Sequence, residues 1–467
     1  MAEQHATVVL EETAIQELAS LMRGTLLRPS DGGYEQARQV YNAMIDKYPA
    51  LIIRCVDVAD VMAAVNFARN HQLTLAVRGG GHNGPGLGTC DDGLVIDLSG
   101  MKSVRVDPIA RTARVEGGCT LGDVDHATHP FGLAVPSGIM STTGIGGLTL
   151  GGGIGSLSRT LGLTIDSLLG VDMVLADGNF VIANEEEHAD LFWAIRGGGG
   201  NFGVVTSFLF KLHPISTVYG GPMMWPIEQA EEVMKFWHDF ILQAPEEING
   251  WFVFFIVPPV PLFPEQFHLQ KMCAIVWCYS GTLDKADEVF KPIRMNIPPA
   301  MDFAEPVPWP ALQSLFDALT PPGLQWYWKT DFFNELSDKA IKQHLKHAAQ
   351  LPTVQSTMHL YPINGAVHRV GSSETAFSYR DANFAEVIIG IDPDAANNER
   401  MIEWARDYWM ALHPYSAGGG YVNMMMDEGA DSVETAYRDN YARLAQIKAK
   451  YDPSNLFHVN QNIKPAK

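Results

Sequence analysis

The chain has 467 residues, of which 46% are hydrophobic and 18% are charged, a composition that excludes an intrinsically disordered protein. Its 33 basic and 53 acidic side chains give a formal net charge of −20. This charge argues against binding of nucleic acid or of an anionic membrane, because both would be repelled at long range. The length predicts roughly two to three domains.

Cysteine usage and apolar segments bear on the compartment. The spacing of the five cysteines matches neither a zinc site nor an iron–sulfur cluster, so we expect no metal. The N-terminal residues show no basic stretch followed by an apolar run, and no apolar segment reaches 18 residues. We therefore expect neither a secretory signal nor a transmembrane helix, and we predict a cytoplasmic protein. The cysteines are Cys55, Cys90, Cys119, Cys273 and Cys278.

Helix and strand patterns alternate up to residue 212. Asp57, with Asp60 three residues later, predicts the N-cap of a helix. An Asp177-Gly178 turn between two apolar runs predicts a β-hairpin whose arms are residues 164–175 and 179–182. A short helix is predicted at residues 121–128. Further strands are predicted at residues 73–77, 94–98, 104–106, 111–116 and 204–212.

Composition changes at His213-Pro214. From there to about residue 417 glycine becomes rare, while proline and aromatic residues accumulate. Such a segment is typical of a domain that shapes a pocket for an organic substrate. The C-terminal part returns to a helical pattern, with one apolar stripe formed by Val433, Tyr437, Tyr441, Leu444 and Ile447.

Three glycine-rich segments, residues 79–88, 144–155 and 197–203, dominate the first half of the chain. Glycine lets the backbone approach a ligand closely, and three such loops offer many N–H groups to one large anion. A dinucleotide with a pyrophosphate fits that description. Two segments match GxGxxG, but neither opens a helix, which disfavours a Rossmann unit for a nicotinamide cofactor. The alternative is that the glycines only form turns.

His82 lies alone inside the first glycine loop. Its mobile surroundings would let an imidazole nitrogen reach a ligand, and neutral imidazole is a competent nucleophile near pH 7. The alternative is an ordinary solvated loop residue.

The loop Arg78-Gly-Gly-Gly-His82-Asn83 resembles the covalent-attachment loop of the vanillyl-alcohol-oxidase superfamily, whose members have a PCMH-type FAD-binding domain. More narrowly, the chain is similar to bacterial berberine-bridge-enzyme-like oxidoreductases. The matching blocks follow one another along nearly the whole chain: Ser137-Gly138, residues 143–155, 162–166 and 191–206, Tyr421-Val-Asn423, and residues 451–463.

The resemblance implies an α+β fold with a two-subdomain PCMH-type FAD-binding domain. It also implies a substrate domain in which helices cover an antiparallel sheet. We expect residues 1–212 to form the N-terminal part of the FAD-binding domain and residues 213–420 the substrate-binding domain. Residues 421–467 then return to the FAD-binding domain.

By the same resemblance, His82 bonds covalently to the 8α carbon of the flavin ring of FAD. A second, cysteinyl tether of many relatives falls on Met140, whose thioether cannot form a stable link, so we predict a single attachment. The other residues expected to bind FAD are Arg78, Gly79, Gly80, Gly81, Asn83, Ser137, Gly138, Ser141, Thr142, Gly144, Gly146, Gly147, Gly151, Gly152, Gly155, Val204, Val205, Asn460 and Asn462.

Two positions bear on the reaction. In relatives, valine at the position of Thr143 goes with oxidases and leucine with dehydrogenases; threonine has the shape of valine and favours an oxidase, unless this side chain has no effect on oxygen. Relatives also read Tyr-x-Asn-Tyr where this chain has Tyr421-Val-Asn423-Met424, and methionine cannot exchange a proton. Either Tyr421 or another pocket group replaces that base, or the substrate needs no strong base, as with an amine that is oxidised from its neutral form.

Candidate catalytic residues are therefore Tyr421, Tyr361 and Lys329. The middle domain offers further pocket candidates in His359, Trp326, Tyr327 and Arg380, and either Lys329 or Arg380 would suit a substrate carboxylate. Asp166 either serves the cofactor or caps a helical segment at residues 167–170. Each of these side chains has a purely structural alternative.

The sequence thus predicts an FAD-dependent oxidase that acts on a small organic substrate. A hydride would pass from an alcohol, hemiacetal or amine carbon to flavin N5, and dioxygen would reoxidise the flavin to give hydrogen peroxide. One alternative is a dehydrogenase of the same fold that uses a quinone or a protein as electron acceptor. Another is a flavin-binding protein without turnover.

Overall fold

The computed structural model describes residues 10–467, so the prediction about the N-terminal residues falls largely outside the described part. The first sheet runs in the order β1-β2-β4-β3, with β1 antiparallel to β2 and the other pairs parallel. The strands β2, β3 and β4 are largely buried, as near-continuous apolar runs such as Leu51-Ile-Ile predict, whereas β1 at the edge is partly exposed. They are β1 (Thr25–Leu27), β2 (Leu51–Arg54), β3 (Leu75–Arg78) and β4 (Leu94–Asp97).

Helices cover this first sheet: α1 (Glu12–Leu21), α2 (Tyr34–Arg38) and α3 (Val58–Asn70). The predicted cap of α3 is confirmed, because the Asp57 carboxylate accepts the backbone N–H of Asp60 at 3.1 Å. Capping satisfies one of the free N–H groups at the start of the helix.

The second sheet is antiparallel, in the order β5-β6-β9-β7-β8. The predicted hairpin is confirmed, since its two arms pair across the Asp177-Gly178 turn. The sheet consists of β5 (Val104–Asp107), β6 (Thr112–Glu116), β7 (Leu168–Val174), β8 (Phe180–Asn184) and β9 (Val204–Lys211). The helices between these strands are α4 (Leu121–Thr128), α5 (Ile145–Leu150), α6 (Ser158–Leu161) and α7 (Ala189–Ile195).

The helical segment expected at residues 167–170 is wrong, because β7 already begins at Leu168. Asp166 instead lies within the 3-10 turn Thr164–Ser167, where its carboxylate accepts the backbone N–H of Leu163 at 2.8 Å. The same carboxylate accepts two hydrogen bonds of 2.7 Å from Arg380. The first contact stabilises the turn, and the second joins the first half of the chain to the middle segment, so Asp166 has a structural role.

The third sheet has eight antiparallel strands in the order β13-β10-β12-β11-β16-β17-β15, with β14 also paired to β10. This arrangement confirms the predicted antiparallel sheet. The strands are β10 (Thr217–Pro226), β11 (Ile248–Ile256), β12 (Lys271–Tyr279), β13 (Met301–Asp302), β14 (Glu305–Pro308), β15 (Gln325–Phe333), β16 (Thr357–Pro362) and β17 (Phe384–Asp392). The helices of this segment are α8 (Ala230–Gln243), α9 (Ala286–Asn296), α10 (Trp309–Gln313), α11 (Asp338–Ala348) and α12 (Asn398–Leu412).

The two faces of the third sheet have different neighbours, because side chains alternate along each strand. One face packs Phe252 and Ile388 against Trp237 and Tyr408 of the covering helices. The other face carries Trp251 and a second aromatic cluster that includes residues of the first half of the chain. The largest part of the lining of a deep cavity comes from this second face and from the glycine loops of the first half.

The C-terminal apolar stripe falls on two helices rather than on one, α13 (Ala430–Tyr437) and α14 (Asn440–Tyr451). The chain breaks at Arg438, whose φ of 48° is left-handed and ends the helix. Both helices bury their stripe against the core of the second sheet. The division at residues 212 and 420 stays a prediction. Among residues 10–467, every helix is too short or too polar to span a lipid bilayer.

Candidate active site

A cavity of about 670 Å³ lies between the glycine loops of the first half and the open face of the third sheet. A second cavity of about 140 Å³ extends it towards the loop at residues 199–203 and the C-terminal tail. Gly79, Asn83, Gly147 and Asn460 line both, so an elongated ligand has a continuous path from one to the other. Volumes of this size suit an organic cofactor together with a small substrate.

Two glycine loops meet at the floor of the larger cavity. A Cβ on Gly80 would lie 2.3 Å from the backbone nitrogen of Gly144, and one on Gly144 would lie 2.3 Å from the nitrogen of Gly80. Only glycine allows this approach of two backbones. Gly147, one turn further along, differs: a Cβ there would have no heavy atom within 4 Å and would project into open space.

His82 lines the larger cavity next to these two glycine loops. Its half-buried ring stacks on Tyr41, with 3.8 Å between ring centroids and an interplanar angle of 19°. Burial lowers the pKa of His82 to about 4, although a hydrogen bond to the Thr142 backbone opposes the shift. The imidazole is therefore neutral near pH 7. Tyr41 is itself held by a hydrogen bond from its hydroxyl to the carbonyl of Thr320.

Arg78 shapes the loop rather than offering a free charge to a ligand. Its guanidinium donates to Asp97 at 2.7 Å and to the carbonyl of Gln39 at 3.2 Å. The ion pair is buried, and Arg78 together with a hydrogen bond from Ser99 lowers the pKa of Asp97 against the opposing effect of burial. Arg78 therefore anchors the start of the loop that carries His82.

The structure brings many of the predicted cofactor residues to the cavity walls and places the others behind them. Those on the walls are Arg78, Gly79, Gly80, Gly81, His82, Asn83, Gly138, Gly144, Gly146, Gly147, Val205 and Asn460. Those behind the walls are Ser137, Ser141, Thr142, Gly151, Gly152, Gly155, Val204 and Asn462.

The residues behind the walls hold the loops in place. Gln313 donates to the Ser137 hydroxyl at 2.8 Å, and the backbone N–H of Ser141 donates to Asp317 at 3.1 Å. A Cβ on Gly155 would lie 1.7 Å from the carbonyl oxygen of Ser137, so glycine is required there for packing. The two hydrogen bonds tie the 137–155 segment to the middle part of the chain, and the glycine contact holds the segment on itself.

Tyr421, from the C-terminal part of the chain, also lines the larger cavity. Its hydroxyl accepts the backbone N–H of Gly153 and an N–H of Asn423, both at 2.9 Å. Burial raises the pKa of Tyr421 while these two hydrogen bonds oppose the rise, so the phenol stays protonated at neutral pH. Asn423 also donates to the carbonyl of Leu148 at 3.0 Å, which links the tail to α5.

The strand β16 contributes a row of polar side chains to the cavity: Thr357, His359 and Tyr361. His359 Nδ1 lies 2.6 Å from Tyr361 Oη, a short hydrogen bond. Burial lowers the pKa of His359 to about 3 and raises that of Tyr361, to which the nearby Tyr421 adds. Both groups are therefore neutral. The sequence singled out each residue but missed their pairing, although the His-x-Tyr spacing in a strand places both on one face.

Three of the predicted pocket residues lie outside the cavity. Lys329 Nζ is 2.9 Å from Glu428 and lies over the Trp409 ring at 4.2 Å. Arg380 is committed to Asp166, and Tyr327 accepts a hydrogen bond from Arg406 at 2.9 Å. Trp326 does line the cavity. The geometry thus offers no role in substrate binding to either cation.

The residues of the two cavities fit FAD. A side chain at position 147 would fill the open space beside Gly147. The neutral imidazole of His82 lines the same cavity. Apolar and aromatic walls suit a flavin ring, while the glycine backbones around the smaller cavity suit the dinucleotide. Among residues 10–467 we find no cluster of three or more His, Cys, Asp or Glu residues suited to a metal ion.

Comparison with known proteins agrees with this fit. Residues 49–184 match the family described as "FAD binding domain", and residues 420–464 match the family described as "Berberine and berberine like". A FAD-linked oxidoreductase of Dictyostelium discoideum is 34% identical, over 97% of this chain and 97% of its own length.

The (R)-6-hydroxynicotine oxidase of Paenarthrobacter nicotinovorans is 29% identical, over 95% of this chain and 97% of its own. Among solved structures, Physcomitrella patens BBE-like 1 superposes with a TM-score of 0.85 at 25% identity, covering 97% of this chain and 99% of that chain. These relatives share the FAD-binding fold along nearly the full length. The chain therefore belongs to the berberine-bridge-enzyme-like family of FAD-linked oxidoreductases.

Proposed function

We propose that the protein is an oxidase that carries FAD on a single covalent bond to His82 and oxidises an alcohol, hemiacetal or amine carbon of a small organic substrate. FAD, when bound, supplies the redox chemistry, accepting a hydride at N5 and delivering the electrons to dioxygen, which yields hydrogen peroxide. The protein holds the two reactants in place and sets the electrostatics around them.

The state of His82 is the observation that carries this proposal. A neutral imidazole has a free lone pair, and burial keeps it unprotonated. Stacking on Tyr41 fixes the plane of the ring, and the fixed glycine contact between Gly80 and Gly144 positions the loop beneath it. A nucleophile that is both neutral and oriented, in the floor of a cavity of flavin size, supports a covalent tether.

The residue at the position of the second tether supports a single covalent bond. Met140 lines the larger cavity, where its sulfur accepts a hydrogen bond from Thr320 at 3.7 Å. A thioether cannot form a stable bond to the flavin. Within the described part of the chain, the residues lining both cavities include no cysteine.

We favour an oxidase over a dehydrogenase because of the side chain that is expected to control access of dioxygen to the flavin. Thr143 lines the cavity directly before Gly144, close to the His82 loop. Its branched side chain has the shape of the valine that oxidases of the family carry at this position. A hydroxynicotine oxidase among the relatives supports the same choice.

Acid precipitation of the purified protein tests the tether. We expect flavin fluorescence to stay with the pellet and to map to the peptide that contains His82. His82→Ala should release all flavin into the supernatant, whereas His126→Ala, a change of an exposed histidine, should keep it in the pellet. Flavin released from the wild-type protein would contradict the covalent bond.

Reoxidation tests the oxidase. Holoenzyme reduced with one equivalent of dithionite per flavin, so that no reductant remains, and mixed with air-saturated buffer should regain its yellow colour and form one peroxide per flavin. A reduced protein that reacts with a quinone but not with dioxygen would instead indicate a dehydrogenase.

A further inference from the structure

The sheet face that looks into the cavity is apolar except along one strand. Neighbouring strands present apolar side chains there, among them Met224, Val253, Trp326, Val387 and Ile389. The strand β16 instead presents Thr357, His359 and Tyr361. A substrate bound against this face therefore meets its polar partners along a single row.

Charged groups close to this face are turned away from it or paired. Glu386, between Ala385 and Val387 in β17, directs its carboxylate to the helix-covered face, 3.6 Å from His344. Lys329 and Arg380 are committed to Glu428 and Asp166. Among the described residues, no unpaired charge is thus available to a charged substrate. This disfavours a protonated amine, and the few polar groups disfavour a carbohydrate with many hydroxyls.

Two of the polar side chains of β16, His359 and Tyr361, are arranged to accept a proton from a substrate and pass it on. Tyr361 Oη and His359 Nδ1 are 2.6 Å apart, and Trp251 packs against both rings, with centroids at 5.6 Å and 4.8 Å. Tyr361 also lies near Tyr421, which is anchored to the glycine segment beneath the flavin site. In the tautomer with its proton on Nε2, His359 presents the lone pair of Nδ1 to the Tyr361 hydroxyl, so Nδ1 is the atom that accepts a second proton.

We propose that the substrate is an uncharged alcohol with an aromatic or alicyclic body, and that its hydroxyl proton passes to Tyr361 while the Tyr361 proton moves to His359. This inference rests on the proposed oxidase function. The substrate C–H bond breaks with its electron pair leaving as a hydride to the flavin. The O–H bond breaks with its pair kept on oxygen, which forms the C=O bond of the product.

The proton and the electrons balance over the cycle. His359 holds the proton as an imidazolium until dioxygen takes up the two electrons, and the hydride and this proton then leave as hydrogen peroxide. Burial keeps His359 neutral before the reaction, as its low pKa indicates. The negative charge that arrives with the hydride stabilises the imidazolium, because opposite charges attract strongly in a dry cavity.

The pair also accounts for Met424. Relatives carry a tyrosine there as the base, and this chain has Met424 at the cavity wall instead. Tyr361 lines the same cavity from β16. A phenol hydrogen-bonded to an imidazole supplies the same proton-accepting chemistry from a different strand.

Anaerobic mixing of the holoenzyme with donors tests both parts. We expect benzyl alcohol, 1-phenylethanol and cyclohexanol to bleach the flavin, and glucose, cellobiose and benzylamine to leave it oxidised. Tyr361→Phe should slow bleaching by about 10²–10⁴-fold, the range of general-base catalysis, with an alcohol Kd that changes far less. His359→Ala should slow it to a similar extent and recover in part with added imidazole, which a purely structural role would not produce.

The chain offers a matched control. Tyr408 and His344 form a second buried pair, with Oη 2.8 Å from Nδ1, on the helix-covered face of the same sheet. Tyr408→Phe removes the same hydroxyl from the same kind of pair and should leave the bleaching rate unchanged. Benzaldehyde gives a readout without turnover: it should perturb the flavin spectrum, and Tyr361→Phe should weaken its Kd by roughly 2–10-fold for the lost hydrogen bond.

Three results would overturn the inference. One is bleaching by sugars or amines but not by the alcohols; another is wild-type bleaching rates in both Tyr361→Phe and His359→Ala with full flavin content. The third is no bleaching by any of these donors. In each case peroxide formation by dithionite-reduced holoenzyme still tests the oxidase by itself, so failure of this inference and failure of the proposed function are distinguishable.

Discussion

Replacing Gly147 with alanine tests whether the open space beside this glycine is where the flavin binds. A Cβ there meets no heavy atom within 4 Å, so the apoprotein accommodates it without strain. Gly147 lies inside α5, where alanine is favoured over glycine by roughly 0.5–1 kcal/mol. The free energy of unfolding of the apoprotein should therefore stay unchanged or rise. The new methyl group, however, occupies space at the wall of both cavities.

Gly80→Ala provides the contrast. Its Cβ would lie 2.3 Å from the nitrogen and 2.6 Å from the Cα of Gly144, where ordinary contact begins at 3.4 Å. The two loops must separate by about 1 Å, and overpacking of this kind costs roughly 1–3 kcal/mol. This variant should lose stability with or without flavin, because the clash is within the protein.

Both changes are best measured in a His82→Ala background, where we expect FAD to be removable. Urea unfolding of the apoprotein gives the stability, and fluorescence titration with FAD gives the Kd. We expect Gly147→Ala to weaken the Kd at least about tenfold, which corresponds to about 1.4 kcal/mol, at undiminished apoprotein stability. An unchanged Kd for Gly147→Ala would refute the assignment of this space to the cofactor.

Three further changes probe oxygen access, pH and the tail. Thr143→Leu should slow the reaction of the reduced flavin with dioxygen in stopped-flow mixing, whereas Thr143→Val should keep the wild-type rate. Burial raises the pKa of Asp125 from 3.8 to about 7, although a hydrogen bond from Trp309 opposes the shift. The folded state thus binds this proton more tightly, and its contribution to stability is complete below about pH 4 and lost as the pH rises to about 7. Asp125→Asn should therefore gain stability relative to wild type over that interval, by up to roughly 4 kcal/mol at 1.36 kcal/mol per pKa unit, in urea unfolding at pH 5 and pH 8. Lys448→Met leaves the buried carboxylate of Asp452 unpaired, so the variant should lose about 3–5 kcal/mol and much of its flavin; wild-type Tm and flavin content would contradict this.

Local chemistry was enough to predict several elements. The Asp57 cap and the Asp177-Gly178 turn depend on residues within a few positions of one another, and both occur as predicted. Glycine density and the resemblance to a known family also predicted that the loop around His82 would be part of the site, and the structure places this loop at the wall of the larger cavity. The apolar stripe of the C-terminal part predicted one helix where the structure has two. The stripe continues across Arg438, whose left-handed backbone ends one helix before the next begins.

The details of the cavity depend on long-range packing, and the sequence could not supply them. Gly147 and Gly155 belong to one glycine-rich segment, yet one faces the cavity and the other packs on Ser137. The stacking of Tyr41 on His82 joins residues that no local pattern connects.

Alternation along a strand predicts which side chains share a face, but not which face lines the cavity. Alternation along β15 places Trp326 and Trp328 on the cavity side and Lys329 on the other, so the period-2 rule applied to this strand would have excluded the lysine. The same rule groups His359 with Tyr361 on β16. Which face looks into the cavity depends on how the sheet packs, and that required the structure.

The buried Lys448 has a consequence for biosynthesis. Its ammonium group donates to the carbonyl of Asn201 at 2.6 Å and to that of Phe457 at 3.3 Å, and so joins the third glycine loop to the segment that brings Asn460 and Gln461 to the cavities. A nascent chain lacks this wall until residues beyond 460 have been synthesised. The cavity wall is therefore complete only after the C-terminal segment has been synthesised and has folded against the third glycine loop.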